Sequence, residues 1–148
     1  MGQSTVTIDY GKVYQGTAAG SGGTFTADYA IPTDQAAKLR ATAVASHATA
    51  AHLDGAASIV AEYVVQNKNG TVTAPGATSG SNNPSNSATT TFVASAAQAS
   101  DAGVWSGGVP ALAWSVSGTN ARCTFTNTGT ASTVNVTIVI EAIIAGST

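Results

Sequence analysis

At 148 residues the chain is long enough for one domain, and 8% of its residues are charged, against roughly 25% in ordinary globular domains. Its net charge of −2, with five scattered Lys and Arg residues, excludes the basic surface that nucleic-acid binding requires. No apolar run is long enough to span a membrane, residues 1–20 lack the apolar core of a signal peptide, and the single cysteine excludes an intrachain disulfide framework.

Small residues dominate the composition, mainly Ala, Thr, Gly and Ser. They limit the apolar area that folding can bury, and they leave the surface with little charge to keep copies of the chain apart. We therefore expect a homo-oligomer with closed symmetry. Without a signal peptide or disulfides, synthesis in the cytoplasm and no membrane partner are expected.

The N-terminal half predicts β-strands. Val6, Ile8 and Tyr10 alternate with polar residues, and residues 1–20 are interpreted as an N-terminal arm or edge strand ahead of a β-sandwich domain over 21–148. Residues 15–23, rich in Gly and Ala, indicate a loop, and 25–31 form another alternating run. Residues 33–37 permit a short helical turn, while β-branched residues favour a strand at 38–47. A strand at 57–66 follows, ended by the turn residues 67–70.

The C-terminal half predicts further strands separated by loops. A low-complexity loop at 74–87 and a strand at 88–95 precede a second loop at 96–110. Residues 111–144 indicate a meander of three strands, with Ala121, Cys123 and Phe125 on one face of the middle strand. About eight short strands of this kind predict an all-β chain, a single antiparallel β-sandwich that is jelly-roll-like.

Few residues are candidates for chemistry. His47 and His52 lie near Asp54 but lack a third firm metal ligand, so they are interpreted as surface or interface histidines and no metal is expected. Cys123 is expected to be buried as a small apolar residue rather than to act as a nucleophile. The Gly-rich stretches lack the Lys-Ser/Thr of a phosphate loop.

The carboxylates offer no catalytic pair by spacing. Asp34 and Asp101 lie in turn-like contexts, and Glu62 and Glu141 are expected on the outward faces of strands. We therefore expect no catalytic residues, no cofactor and no enzymatic activity.

Aromatic residues are the better candidates for binding. Trp114 alternates with polar residues on a strand and is interpreted as core packing. Trp105 lies among glycines in the 96–110 loop, where it is either an anchor for a neighbour's pocket or a lid over the sandwich. Tyr10, Tyr14 and Trp105 are the candidate interface residues.

Four segments resemble small β-sandwich domains of tailed-phage virions. They are Arg-Ala-Thr-Ala-Val-Ala at 40–45, Ala-Glu-Tyr-Val-Val-Gln-Asn at 61–67 with Asn-Gly-Thr-Val at 69–72, Ala-Trp-Ser-Val-Ser-Gly-Thr-Asn-Ala-Arg at 113–122, and Val-Asn-Val-Thr-Ile-Val-Ile-Glu at 134–141. Such domains occur in tail fibres and other surface proteins and carry no catalytic residues. This chain departs from the fibres by lacking a long repetitive shaft, and in size it is similar to capsid decoration (cement) proteins, which are often trimeric.

The resemblance implies a structural protein at the virion surface, made in the host cytoplasm. The leading hypothesis is a homotrimeric decoration protein that bridges capsomers by contacts with the major capsid protein or another virion protein, with residues 1–20 as the docking arm. The alternative is a tail-fibre or head-fibre adhesin domain that binds host glycan through Trp105 and the loops 74–87 and 96–110. An enzyme ranks last.

Overall fold

The computed structural model describes residues 4–48, 56–74, 97–98 and 110–147. These residues form β-strands and the turns between them, and they contain no helix long and apolar enough to cross a membrane. In chain order the strands are β1 Ser4–Ala18, β2 Thr24–Ala30, β3 Gln35–His47, β4 Ala56–Lys68, β5 Thr71–Thr73, β6 Ala97–Gln98, β7 Ala111–Ser117, β8 Asn120–Thr126 and β9 Val134–Ser147.

The strands make two antiparallel sheets. The larger sheet has the order β1-β9-β3-β4-β5, with the short β6 also paired to β4, and the smaller sheet has the order β2-β8-β7. β1, β3, β4 and β9 are 13 to 15 residues long, so the larger sheet extends well past the seven-residue strands of the smaller one. The prediction of a β-sandwich is confirmed, although four of its strands are longer than the short strands expected.

The core lies between the two sheets and is built mainly from small and β-branched side chains. Alternate residues of β3, β4, β8 and β9 are buried, as period-two alternation predicts for strands with one covered face. Phe125, Leu39 and Ile59 are the largest fully buried side chains. The predicted inward set of β8 is confirmed, because Ala121, Cys123 and Phe125 are all fully buried.

Trp114 joins the two sheets. Its ring stacks on Tyr63 of β4 with centroids 5.6 Å apart, and its indole Nε1 donates a hydrogen bond to the carbonyl oxygen of Ala61 at 3.1 Å. The side chain is buried, which confirms the interpretation of Trp114 as core packing.

Two turns follow the predicted chemistry. Asn69 and Gly70 both have positive φ and form the two-residue connection between Lys68 and Thr71, which suits a right-twisted β-hairpin. Asp34 also has positive φ, and its carboxylate accepts a hydrogen bond from the backbone N–H of Asn69 at 2.8 Å. The turn role predicted for Asp34 is therefore confirmed.

Several predictions of local structure are wrong. The expected C-terminal meander is broken, because β7 and β8 pair with each other while β9 crosses to the larger sheet and pairs with β1 and β3. Residues 15–18 belong to β1 rather than to a loop, and 35–37 belong to β3 rather than to a helical turn. In both cases pairing with β9 outweighs the local preference of Gly and Ala residues. The predicted strand 88–95, all but the first residue of the predicted loop 74–87, and most of the 96–110 loop lie outside the described residues.

Candidate interaction surface

The side of the larger sheet that faces away from the smaller sheet is here called the outer face. It consists of the side chains of β1, β9, β3 and β4 that alternate with the core residues. Among the described residues, no strand packs against this side. No other strand of the described part of the chain therefore covers the outer face.

A row of charges crosses the middle of the outer face. Glu141 of β9, Arg40 of β3 and Glu62 of β4 are paired partners in adjacent strands, and these three residues are here called the charged row. Lys38 lies two residues before Arg40 in β3, at the next position on the same face. Its Nζ lies 3.6 Å from the carboxylate of Glu62. Two positive and two negative side chains thus lie together, so the group is neutral overall.

Apolar side chains lie on both sides of the charged row. The exposed large hydrophobic residues of the described chain are Val6, Ile8, Tyr10, Val13, Val44, Val64, Val116 and Ile143. All of them except Val116 lie on the outer face or border it. Val6 and Val13 keep 64% and 63% of their surface in solvent, which is unusual for valine unless another surface covers it.

A depression of about 290 Å³ lies where β1 passes the charged row. Its walls come from Ile8, Asp9, Tyr10, Lys38, Arg40, Glu62, Glu141, Ala142 and Ile143. Tyr10 borders it with 84% of its surface exposed. The depression therefore combines one aromatic ring with carboxylate and guanidinium groups.

A β-bulge explains the exposure of Tyr10. The register of β1 against β9 shifts between Asp9 and Lys12, so the residues between them have no regular partner. On the inner side of the bulge, the Tyr29 hydroxyl donates to the Asp9 carboxylate at 2.9 Å, and the Lys12 ammonium lies 5.3 Å from the Tyr29 ring centroid. Burial and the Asp9 hydrogen bond raise the pKa of Tyr29 to about 12.

The three candidate interface residues take different positions. Tyr10 lies at the surface, whereas Tyr14 is half-buried and its hydroxyl donates to the backbone carbonyl of Asp28 at 2.8 Å. Burial, followed by the negative charges of Asp28 and Asp9, raises the pKa of Tyr14. Tyr14 thus makes contacts inside the chain, and Trp105 lies outside the described residues.

The outer side of the smaller sheet is different in character. Thr26, Thr124 and Ala113 are paired neighbours there, and the one large charged contact is the Arg122–Asp28 ion pair at 2.8 Å. Its two-point hydrogen bond lowers the pKa of Asp28, although both side chains are more than one-third exposed to solvent. This side is smaller and more polar than the outer face, which makes it a useful reference surface.

The residues considered for chemistry are not arranged as a reactive site. Of the surface and interface interpretations of His47, the surface alternative is wrong, because its side chain is only 8% exposed at the last residue of β3. Cys123 is fully buried as predicted, and burial raises the pKa of its thiol to about 12. His52 and Asp54 lie outside the described residues, and within those residues no three His, Cys, Asp or Glu side chains group as metal ligands.

The sequence indicated parts of this surface without indicating the whole. The outward positions predicted for Glu62 and Glu141 are confirmed. Their alignment with Arg40 was missed, because it depends on β3 lying between β4 and β9. The strand alternation also placed Arg40 outward, so charges at matching positions of several strands were the available signal.

The described residues define an all-β sandwich in which one face of the larger sheet, mixed apolar and charged, is not covered by another described strand. No family model matches the chain, and no curated protein matches it. Among solved structures, the chain is similar to the crystal structure of the tailspike protein of Acinetobacter baumannii phage AM24, with 17% sequence identity and a TM-score of 0.49. The similarity covers 93% of this chain and 26% of the tailspike chain.

Proposed function

We propose that this chain is a structural protein of a phage virion surface, acting as a capsid decoration protein. The observation that carries the proposal is the outer face, which exposes large apolar side chains beside a neutral group of charges. A monomer gains nothing from such a face, whereas a subunit that buries it in an assembly does. The resemblance of the 40–45, 61–72, 113–122 and 134–141 segments to virion domains supplies the biological setting.

The mechanism under this proposal is mechanical. Each copy contributes a modest contact, and many copies joined to each other and to the major capsid protein resist separation through summed binding. The low charge of the chain suits this role, since few charged groups have to be desolvated when its surfaces are buried. The homotrimer implied by the resemblance belongs to the same proposal.

β1 determines how the docking role of residues 1–20 is best tested. The strand pairs with β9 from Ser4 to Ala18, so deleting it would strip an edge of the larger sheet. Point changes at exposed side chains of β1 leave that pairing in place. They therefore replace deletion as the test of docking.

The experiment is co-sedimentation with empty capsids of the source particle. Ile8→Glu and Val13→Glu place a charge among the exposed apolar residues, and we expect each to weaken capsid binding at least about tenfold, because copies that no longer associate through the outer face lose their summed binding. Thr124→Glu, on the outer side of the smaller sheet, is the matched control and should bind as the parent chain does. If the parent chain does not sediment with capsids, the decoration role is wrong.

The depression beside Tyr10 supports a second candidate, a fibre-type adhesin domain that binds host glycan. Sugar rings stack on exposed aromatic faces, and their hydroxyls hydrogen-bond to carboxylate and guanidinium groups such as those of Glu141 and Arg40. A glycan array screened with the parent chain, Tyr10→Ala and Trp105→Ala tests it. Binding that is lost in either variant would favour the adhesin, and an array without signal would remove it.

Both candidates are non-enzymatic. Glu62 and Glu141 lie in register on either side of Arg40 on an open face, whereas a glycosidase needs two carboxylates that face each other across a bound substrate. Incubation with the glycans that score on the array should release no shorter products. Product release that Glu62→Gln abolishes would overturn this part of the proposal.

A further inference from the structure

We propose that the outer face binds the outer face of a second copy of this chain, around a two-fold axis that runs parallel to the strands between β9 and β3. This inference rests on the proposed function for its assembly surface, and it replaces the homotrimer with a two-fold pair, because a contact that uses the same patch on both copies cannot close a ring of three. A two-fold contact requires a surface that is complementary to itself, with each residue opposite a suitable residue of the second copy. Arg40 and Glu141 of the charged row, and apolar positions of β1 and β4, meet this requirement.

The charges match under this rotation. Turning the sheet about that axis reverses the strand order, so β9 lies over β3 of the second copy and β3 lies over its β9. Glu141 then faces Arg40 of the second copy, and Arg40 faces its Glu141, since the two residues share one row. Among the described residues, Lys38 pairs with Glu62 and Arg122 with Asp28, which leaves Arg40 and Glu141 for such a partner.

The apolar positions match under the same rotation. β1 lies over β4 of the second copy, so Ile8 faces Val64 because both occupy the row of Ile143 and Lys38. Val13 faces Val60, because both occupy the row of Val139 and Thr42. Each apolar pair occurs twice, once on each side of the axis, and facing sheets about 10 Å apart let such side chains interdigitate.

The area is adequate for a stable contact. Four strands about 4.8 Å apart, over roughly eleven residues of β3, present about 700 Å² per copy. Stable protein interfaces bury about 800 Å² per partner, so this face alone is close to the usual size. The exposed apolar residues on both sides of the charged row supply the hydrophobic part of such a contact.

The face is favoured over the free edge of β1 as the contact. Edges that are protected from pairing carry bulges and inward-pointing charges. β1 has both near its middle, in the register shift between Asp9 and Lys12 and in the Lys12 side chain over the Tyr29 ring. Continuous strand addition along β1 is therefore interrupted, whereas a face-to-face contact does not need a continuous ladder of backbone hydrogen bonds.

The test uses two charge-reversal variants. Each should dimerise weakly alone, and the two should dimerise with each other when mixed. Glu141→Arg sets arginine against arginine twice across the axis, and Arg40→Glu sets glutamate against glutamate twice. An equimolar mixture of the two variants restores both opposite-charge pairs. By analytical ultracentrifugation, each variant alone should dimerise at least about tenfold more weakly than the parent chain, and the mixture should return to within about threefold of it.

Mixing separates contact effects from folding effects, because the charges within each chain are the same alone and in the mixture. Far-UV circular dichroism checks that each variant folds. If either does not, Ile8→Cys mixed with Val64→Cys replaces the pair, and a short bis-maleimide should link them. Ile8→Cys mixed with Thr124→Cys, on the smaller sheet, should stay unlinked.

Three outcomes would each overturn the two-fold contact. The parent chain could stay monomeric, or the mixture of variants could fail to recover dimerisation. The third outcome is a trimer whose mass is unchanged by either charge reversal. The co-sedimentation assay reads the proposed function separately. A dimer that ignores capsids would refute decoration and leave the contact standing. Capsid binding by a chain that never dimerises would refute the two-fold contact and leave the decoration role standing.

Discussion

The indole Nε1 of Trp114 lies 3.1 Å from the carbonyl oxygen of Ala61 and donates a hydrogen bond to it across the sandwich. Trp114 belongs to β7 of the smaller sheet and Ala61 to β4 of the larger one. The same side chain stacks on Tyr63, so one residue supplies both a polar and an apolar link between the sheets. Such a link matters in a chain whose core is otherwise made largely of small side chains.

Replacing Trp114 should therefore be costly. Trp114→Phe keeps an aromatic ring but loses the donor and part of the volume, and we expect a loss of about 1–3 kcal/mol in the free energy of unfolding. Trp114→Ala should cost about 3–5 kcal/mol. Urea denaturation followed by circular dichroism measures both, with Ser115→Ala on the exposed side of β7 as the control, expected within about 0.5 kcal/mol of the parent chain.

Asn127 holds the connection between β8 and β9 to the turn after β1. Its fully buried amide donates to the carbonyl oxygens of Ala19 at 3.1 Å and Ser132 at 2.9 Å. Asn127→Ala leaves both carbonyls without this donor, and we expect a loss of about 2–4 kcal/mol in urea denaturation. Asn135→Ala, at an exposed position, should change little.

The aspartate variant makes the Asn127 prediction sharper. At neutral pH, Asn127→Asp brings a carboxylate against two carbonyl oxygens, so it should be less stable than Asn127→Ala. Protonation of that carboxylate in acid restores one donor, so its deficit should shrink as the pH falls towards 4. An Asp variant whose deficit is unchanged by pH would show that these hydrogen bonds are not what Asn127 contributes.

Gly20 is required because the backbone of another loop lies against it. A Cβ atom at this position would overlap the carbonyl group of Ala131, which cannot move aside as a flexible side chain could. Gly20→Ala should therefore cost at least about 3 kcal/mol in thermal or urea unfolding. At Gly22 a Cβ atom would meet no other atom, so the cost of a side chain comes from the backbone φ of 97°, which residues other than glycine rarely adopt. Gly22→Ala should therefore cost about 1–2 kcal/mol. Equal losses would contradict the steric explanation.

Alkaline pH should destabilise the fold. Burial raises the pKa of the Cys123 thiol to about 12, and burial with the Asp9 hydrogen bond raises that of Tyr29 to about 12. The folded chain therefore keeps protons that the unfolded chain releases from about pH 9 upwards. Stability is present in full below that pH and falls towards pH 12, by at most about 1.4 kcal/mol per pH unit for each group.

Urea midpoints measured between pH 8 and pH 11.5 check this pH dependence. Tyr29→Phe removes one of the two ionisable groups, so its curve should fall less steeply above pH 10 than that of the parent chain. Tyr10→Phe is the matched control, since Tyr10 is exposed, and it should leave the slope as it is. An increase in the urea midpoint as the pH rises above 9 would contradict the buried, protonated state of Tyr29 and Cys123.

Prediction from sequence succeeded where a property depends on residues close together in the chain. The inward set of Ala121, Cys123 and Phe125 and the turn at Asn69-Gly70 are both local patterns, and both are confirmed. Prediction failed where distant pairing decides the outcome. The segment 134–144 alternates as expected, yet its neighbours are β1 and β3 rather than β8.

The sequence by itself therefore determined the class of fold and the direction of most side chains, because period-two alternation is a property of each strand alone. It also determined the low charge and the small side chains that favour assembly. Only the tertiary structure decided that β3 lies between β9 and β4, and with it that Glu141, Arg40 and Glu62 form one row. Strand order depends on long-range pairing that no single strand encodes, so the candidate interaction surface emerged only when the strands were placed side by side.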